Sequence, residues 1–215
     1  MFTGLIEEVG IISAVAKQSQ GAVISVICAK ILDDLKLGDS VAIDGACQTV
    51  VKLRQNGFDV EAAKETLDLT TFKDYKSGKK VNLERAMAAN GRFGGHIVSG
   101  HIEGVGIFKR KENQGLADVY YFEVPENIAK YIVYKGSICI NGISLTIASI
   151  EGNIFSVSVI PTTSQETNLP NLNIGDSVNL ESDILAKYVE KFVLAKDNKT
   201  ENITMNYLQE HGFLE

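Results

Sequence analysis

Two short strings of this chain carry the side chains best suited to chemistry. Cys47 and Thr49 follow the dipeptide Asp44-Gly45, and Ser144 and Thr146 follow Asn141-Gly142. A thiol or hydroxyl with a threonine two positions later presents both groups on one face of a strand, because strand side chains alternate with period two. Such a pair can hydrogen-bond the polar edge of a ligand, and its first member is a candidate nucleophile. Asp-Gly and Asn-Gly accept positive φ at both positions of a tight turn, and apolar β-formers flank each. Each string therefore predicts strand, turn, strand.

The two strings belong to a longer repeat. The spacing that carries Asp44 onto Asn141 also carries Phe58 onto Phe155 and Gly78–Glu84 onto Gly175–Glu181. One residue less carries Gly4-Leu5-Ile6-Glu7-Glu8-Val9-Gly10 onto Gly100-His101-Ile102-Glu103-Gly104-Val105-Gly106. Matches in register across a whole half indicate two homologous domains in tandem, and the period is too long for a solenoid repeat. The boundary falls near Gly94-Gly95-His96, which divides the chain into domains 1–96 and 97–185 and a tail 186–215.

The elements that must position these residues are short strands. Phe2–Val15, with glycines at 4 and 10, predicts a first strand that bends or bulges, and Ala22–Cys28 predicts a second. Thr49–Leu53, Gly57–Ala63 and Val81–Glu84 follow, with Thr146–Ile150, Ile154–Ile160 and Ser177–Leu180 as counterparts. Ile31–Leu35 and Pro125–Tyr131 predict helical turns, with Pro125 at the first helical position. Many short strands broken by Gly-containing turns predict an all-β fold, one small closed antiparallel barrel per half. After Ser182-Asp183 the period changes. Ile184, Leu185, Tyr188, Val189, Phe192 and Val193 make one face of a helix capped by Asp183 or Ser182. A polar segment, Lys196–Glu201, leads to a second helix over Ile203–His211 with Gly212 as its C-cap. These appended helices predict self-association.

Composition excludes several classes. With 21 basic and 27 acidic residues the formal charge is −6, and Lys109-Arg110-Lys111 is too short a basic run for a nucleic-acid partner. No apolar run approaches the roughly 20 residues of a membrane span, and the start lacks a signal-like segment, so the expectation is a cytoplasmic protein. Cys28, Cys47 and Cys139 are odd in number and lack metal-like spacing. His96 and His101, five apart, would face opposite sides of a strand, so no metal is expected.

Met1-Phe2-Thr3-Gly4-Leu5-Ile6, Gly94-Gly95-His96 with Ser99-Gly100-His101, Tyr134-Lys135-Gly136 and Asn141-Gly142-Ile143-Ser144-Leu145-Thr146, in this order, resemble the riboflavin synthases of the trimeric α-chain type. The resemblance covers essentially the whole chain. It implies two six-stranded Greek-key barrels plus a C-terminal helix, assembled as a homotrimer with the active site between the N-terminal barrel of one subunit and the C-terminal barrel of a neighbour. The implied reaction is the final step of riboflavin biosynthesis. Two molecules of 6,7-dimethyl-8-ribityllumazine dismutate without a cofactor by four-carbon transfer, giving riboflavin and 5-amino-6-ribitylamino-uracil. An association with lumazine synthase is left open.

By the same resemblance, Gly4, Leu5, Ile6, Cys47, Gln48, Thr49 and the stretch Glu61, Ala62, Ala63, Lys64, Glu65, Thr66 line the first lumazine site. Gly100, His101, Ile102, Lys135, Ser144, Leu145, Thr146 and the stretch Val159, Ile160, Pro161, Thr162, Thr163, Ser164 line the second. Cys47, Ser144, His101, Lys135, Asp183 and Phe2 are the candidates for chemistry, each with a plainer alternative. Cys47 is otherwise a small buried thiol and His101 a structural hydrogen-bonder rather than a proton relay. Lys135 is otherwise solvated rather than a ribityl clamp, Asp183 a helix cap, and Phe2 core rather than an apolar lid. Gln48 and Thr162 depart from the family pattern, which usually has an apolar and an acidic residue there. Three other readings compete: an antenna protein that binds lumazine or flavin without turnover, the flavin barrel of a reductase, and a purely structural tandem barrel. A thiol in one site and a hydroxyl in the other would make one pocket donor and the other acceptor. On that hypothesis the double exchange Cys47→Ser with Ser144→Cys lowers the turnover rate, and an unchanged rate in the same assay would sink it.

Overall fold

The structure, a computed structural model, describes residues 1–197 and 205–213. The first half forms β1 (Glu8–Gln18), β2 (Gly21–Ile27), β3 (Ser40–Ile43), β4 (Ala46–Arg54), β5 (Gly57–Ala63), the helix α1 (Lys64–Leu69) and β6 (Lys80–Arg85). The second repeats it with β7 (Gly104–Asn113), β8 (Asp118–Glu123), α2 (Glu126–Ala129), β9 (Ser137–Ile140), β10 (Ile143–Glu151), β11 (Ile154–Val159), α3 (Pro161–Gln165) and β12 (Ser177–Ser182). Each set closes into an antiparallel barrel, in the order β1-β2-β5-β4-β3-β6 and the equivalent β7-β8-β11-β10-β9-β12. Alternation fills each interior: Ile24, Val26, Val41, Ile43, Phe58, Val60, Val81 and Leu83 in one barrel, and Phe122, Ile138, Ile140, Phe155, Val157, Val178 and Leu180 in the other. Register shifts at Ile12/Ala14, Val50/Lys52, Phe108/Arg110 and Ile147/Ser149 bend the long strands at matching points, as closure of so small a barrel requires.

The first strand differs from the expectation. It begins at Glu8, and residues 1–7 form a leader outside the ladder. Gly4 is left-handed, and the N–H groups of Thr3 and Gly4 are taken by the Glu84 carboxylate, so neither can continue a β ladder. Ile31–Leu35 proves to be a 3-10 turn over Lys30–Asp33, and Pro125 caps α2 from outside rather than occupying its first position. The short helices α1 and α3 are additional; five or six residues are too few to print a helical period.

The two halves meet about a pseudo-dyad. Phe2 and Val98 form an antiparallel bridge between the two leaders. The turns Asp44-Gly45 and Asn141-Gly142, left-handed at all four residues, sit back to back; a Cβ on Gly45 would lie 2.7 Å from the Gly142 nitrogen. Asn82 donates from Nδ2 to the Asn141 carbonyl, and Asn179 from Nδ2 to the Asp44 carbonyl, both at 2.8 Å. Asp44 further accepts from Tyr75 Oη, the Asn82 N–H and Asn168 Nδ2.

From Leu185 onward the chain is a separate compact unit containing most of α4 (Ile184–Asp197) and all of α5 (Met205–Glu210). Leu185, Tyr188, Val189, Phe192 and Val193 are exposed in the single chain. Ser182 ends β12 and bonds Glu103, leaving Asp183 as the residue directly before the helix. Gly212, with φ 74°, follows α5 as expected. Asn198–Glu201 of the expected polar segment, and Ile203 and Thr204 of the second helix, lie outside the described residues. No helix among the described residues is long and apolar enough to cross a membrane.

Burial pushes the Asp44 carboxyl up from 3.8 to about 6, against the opposing pull of its Tyr75, Asn82 and Asn168 donors. The folded state therefore holds this proton to higher pH than the unfolded chain does. The resulting stabilisation is complete below pH 3.8 and is lost as pH rises through about 6. At 1.36 kcal/mol per pH unit the loss is roughly 3 kcal/mol. Asp44→Asn, which copies Asn141 of the other half, should remove this share of the slope. Urea midpoints from about pH 4 to about pH 7 measure it, and a variant as pH-dependent as the parent would contradict the assignment.

Candidate functional site

The turn fixes where the reactive strings go. In the β3–β4 hairpin Ile43 pairs with Ala46, Val41 with Gln48, and Val50 bonds Asp39 and Gly38. Backbone groups alternate sides along a strand, so those of Cys47 and Thr49 aim away from β3, toward β5. There the ladder is missing: β4 and β5 pair only from Val50–Val60 outward, while Glu61, Ala62 and Ala63 pair with β2 on their other side. A gap opens between Cys47–Thr49 and Glu61–Ala63. The second barrel repeats it, since β10 and β11 pair only from Ile147–Val157 outward, leaving Ser144–Thr146 opposite Ser158–Ile160. Two facing strand edges with no ladder between them form a slot that offers backbone donors and acceptors to a flat polar ring.

The deep end of each gap is closed by the leader of the other half. The Cys47 N–H donates to the Gly100 carbonyl at 2.9 Å, and the Ser144 N–H to the Gly4 carbonyl at 2.8 Å. Both glycines are left-handed, and a Cβ on Gly100 or Gly4 would come within 2.6 or 2.5 Å of the Cβ of Cys47 or Ser144. Ile102 packs against the first core and Ile6 against the second. The contacts thus pair these residues across the expected grouping: Gly4 and Ile6 lie with Ser144 and the second barrel, Gly100 and Ile102 with Cys47 and the first. A repeat matches motif to motif but is silent on which copy touches which.

Cys47 is half-buried against Phe2, Ala42, Val98 and Cys139. Phe2 is wholly buried in that cluster, so it is core at the pseudo-dyad and not a lid. Thr49, Thr146, Glu61, Ala63, Lys64, Glu65, Ile160, Pro161 and Thr162 are exposed, Thr66, Thr163 and Ser164 half-buried, and Ala62, Leu145 and Val159 buried. Gln48 occupies the place of Leu145 and is equally buried; its Nε2 turns back to donate to the Cys47 carbonyl at 2.5 Å, so the first gap already has one acceptor engaged. Lys135 is exposed and left-handed (φ 63°) where the first half has Gly38; its N–H donates to the Ile147 carbonyl, at the end of the gap strand. His101 and Leu5 are exposed at the leader ends, and the His101 N–H donates to Glu181. Asp183 is half-buried.

One residue absent from the sequence-derived set touches the site. His96 is 7% exposed, and its Nδ1 lies 2.7 Å from Ser144 Oγ. Burial holds its pKa below 6.5, with Asp183 pulling the other way, so the imidazole is neutral at pH 7. Nε2 has no hydrogen-bond partner among the described residues. The available signal was its place in Gly94-Gly95-His96, read above as a boundary. Neither His96 nor His101 lies in a strand, so the alternation argument against a shared metal does not apply; among the described residues no group of three or more His, Cys, Asp or Glu is placed to hold one. A cleft of about 400 Å³ between Thr3, Glu7, Ser40, Arg85 and Arg92 contains none of the gap residues.

The chain matches the lumazine binding domain family twice, over residues 3–86 and 99–183. It is 46% identical to the riboflavin synthase of Actinobacillus pleuropneumoniae over 215 residues, 99% of this chain and all of that one. It is 44% identical to that of Bacillus subtilis, again over 99% of this chain and all of the relative. Among solved structures, LumP in complex with 6,7-dimethyl-8-(1'-D-ribityl) lumazine superposes with a TM-score of 0.77 at 27% identity, and LumP with riboflavin with 0.80 at 27%, each over 85% of this chain and 99% of LumP. Two lumazine binding domains, each with the same slot in its barrel, and full-length identity above 40% place this chain in the riboflavin synthase family.

Proposed function

We propose that each gap binds one molecule of 6,7-dimethyl-8-ribityllumazine and that the chain catalyses their dismutation to riboflavin and 5-amino-6-ribitylamino-uracil. The observation that carries this reading is the pair of equivalent slots. Two copies of one substrate must meet, and the chain holds two copies of one opening, each edged by a thiol or hydroxyl and a threonine. Structures of LumP with ribityl lumazine and with riboflavin support the ligand class. Holding two rings in contact removes the entropy of a bimolecular encounter, worth roughly 7 to 11 kcal/mol.

The two gaps are not chemically alike. The Ser144 hydroxyl is in hydrogen-bond contact with a neutral imidazole, a geometry suited to moving a proton, and Lys135 and Asp183 stand in the same half. Cys47 sits instead against apolar side chains. The proposed division of labour gives proton handling to the second gap and recognition to the first. His101, exposed beside the first gap, and Lys135 are proposed to contact the ribityl hydroxyls.

The proposed assembly is a homotrimer in which the first gap of one subunit faces the second gap of a neighbour. The exposed apolar residues of α4 support self-association. A cytoplasmic setting is proposed on the three free cysteines, and association with lumazine synthase on the resemblance alone.

Purified protein incubated with 6,7-dimethyl-8-ribityllumazine and no cofactor should form riboflavin at half the lumazine consumed, with an equal yield of the pyrimidine, by absorbance and chromatography. Binding without turnover would instead favour the antenna reading, in which lumazine or flavin is held and not converted. Removing the residues after Asp183 should give monomers with little activity; a fully active monomer in sedimentation would contradict an intersubunit site.

A further inference from the structure

We propose that Glu181 and Glu84 are positioning residues that act across the pseudo-dyad, each fixing the leader that completes the other barrel's gap. Glu181 is 3% exposed on β12 of the second barrel. It accepts from the backbone N–H of Ser99 at 2.6 Å, Gly100 at 2.9 Å and His101 at 3.1 Å. The carbonyl of the same Gly100 accepts the Cys47 N–H of the first barrel. Glu84, 4% exposed on β6, accepts from the Thr3 N–H and hydroxyl at 2.7 and 2.8 Å and from the Gly4 N–H at 3.0 Å, and the Gly4 carbonyl accepts the Ser144 N–H of the second barrel. One carboxylate and one glycine thus link each barrel to the reactive residue of the other.

A merely structural clamp is a poor explanation of this arrangement. Burial raises the pKa of both carboxyls, Glu181 to about 7, so each group is held at a cost that its leader donors oppose, the backbone N–H groups and, for Glu84, the Thr3 hydroxyl. The strings they end, Val81-Asn82-Leu83-Glu84 and Val178-Asn179-Leu180-Glu181, are the same in both halves, while Tyr75 corresponds to Leu172, Thr71 to Asn168, and Arg85 to Ser182. The glutamates and their two glycines are the same in both halves. Leaders held any other way would leave Gly100 and Gly4 free to leave the left-handed conformation that brings their carbonyls to the gaps.

This inference rests on the gaps being the ligand sites, and the test separates the two. Cys28 and Cys139 are buried, so alkylation of the full chain by iodoacetamide reports on Cys47. Glu181→Gln, in which an amide nitrogen replaces one acceptor, should label Cys47 several-fold faster, while Glu84→Gln leaves its rate unchanged. In a Cys47→Ser, Ser144→Cys background the pattern should invert, with Glu84→Gln accelerating labelling at position 144 and Glu181→Gln having no effect. Should either glutamine variant fail to fold by circular dichroism, the aspartate variant, which shortens the reach by one methylene, takes its place. Equal acceleration at both positions, or none, overturns the crossed positioning. The crossed pattern in a protein whose labelling lumazine does not slow upholds the positioning and removes the gaps as ligand sites.

Discussion

Two tight turns that must touch set the terms for everything else in this fold. Gly45 and Gly142 approach closely enough to exclude any side chain between them, and the backbone carbonyls of Asp44 and Asn141 are thereby withdrawn from water. A buried carbonyl needs a donor. Each barrel supplies it to the other, through Asn179 and Asn82. The two asparagines also hold their partners in place through Oδ1, which accepts the backbone N–H of Thr71 or Asn168. The junction is therefore a polar network satisfied from both sides, and the donor to each turn carbonyl comes from the opposite barrel.

This contact explains why the leaders cross. With the turns back to back, the strand that emerges from each turn starts at the junction, beside the other half's leader. Cys47 and Ser144 lie three residues beyond Asp44 and Asn141, so the first free backbone N–H they present points at a chain from the opposite barrel. The gap between β4 and β5, and its counterpart between β10 and β11, then runs outward along the same strands from the leader that closes its deep end. A site built from both halves follows from the geometry of the turn.

Duplication left the frame symmetric and let its chemistry drift. Asp44 accepts from Tyr75 and Asn168, whose repeat equivalents are Leu172 and Thr71, and Asp44 itself is matched by Asn141, so only one half carries a buried carboxylate in its turn. Glu7 binds Arg85, and its counterpart Glu103 binds Ser182. At the gaps, Gln48 stands for Leu145, Gly38 for Lys135 and Cys47 for Ser144. The gap residue with a histidine is the serine: His96 Nδ1 lies 2.7 Å from Ser144 Oγ, whereas Cys47 packs against Phe2, Ala42, Val98 and Cys139. Two sites that bind the same ligand can differ in what they do to it when such neighbours differ.

Much of this was legible in the residues alone. The strong turn dipeptides, the period-two strings after them and the in-register repeat determined two similar barrels and named Cys47, Thr49, Ser144 and Thr146, because local backbone preference and alternation are encoded within a few residues. The apolar period of α4 was equally local. What only the tertiary structure decided is which half each motif serves. Gly4 and Gly100 satisfy the repeat equally well in either site, and only the back-to-back turns send each to the opposite barrel. The burial of Phe2, the early end of the β4–β5 ladder and the contact of His96 with Ser144 depend likewise on partners tens of residues away, a relation that no local pattern carries.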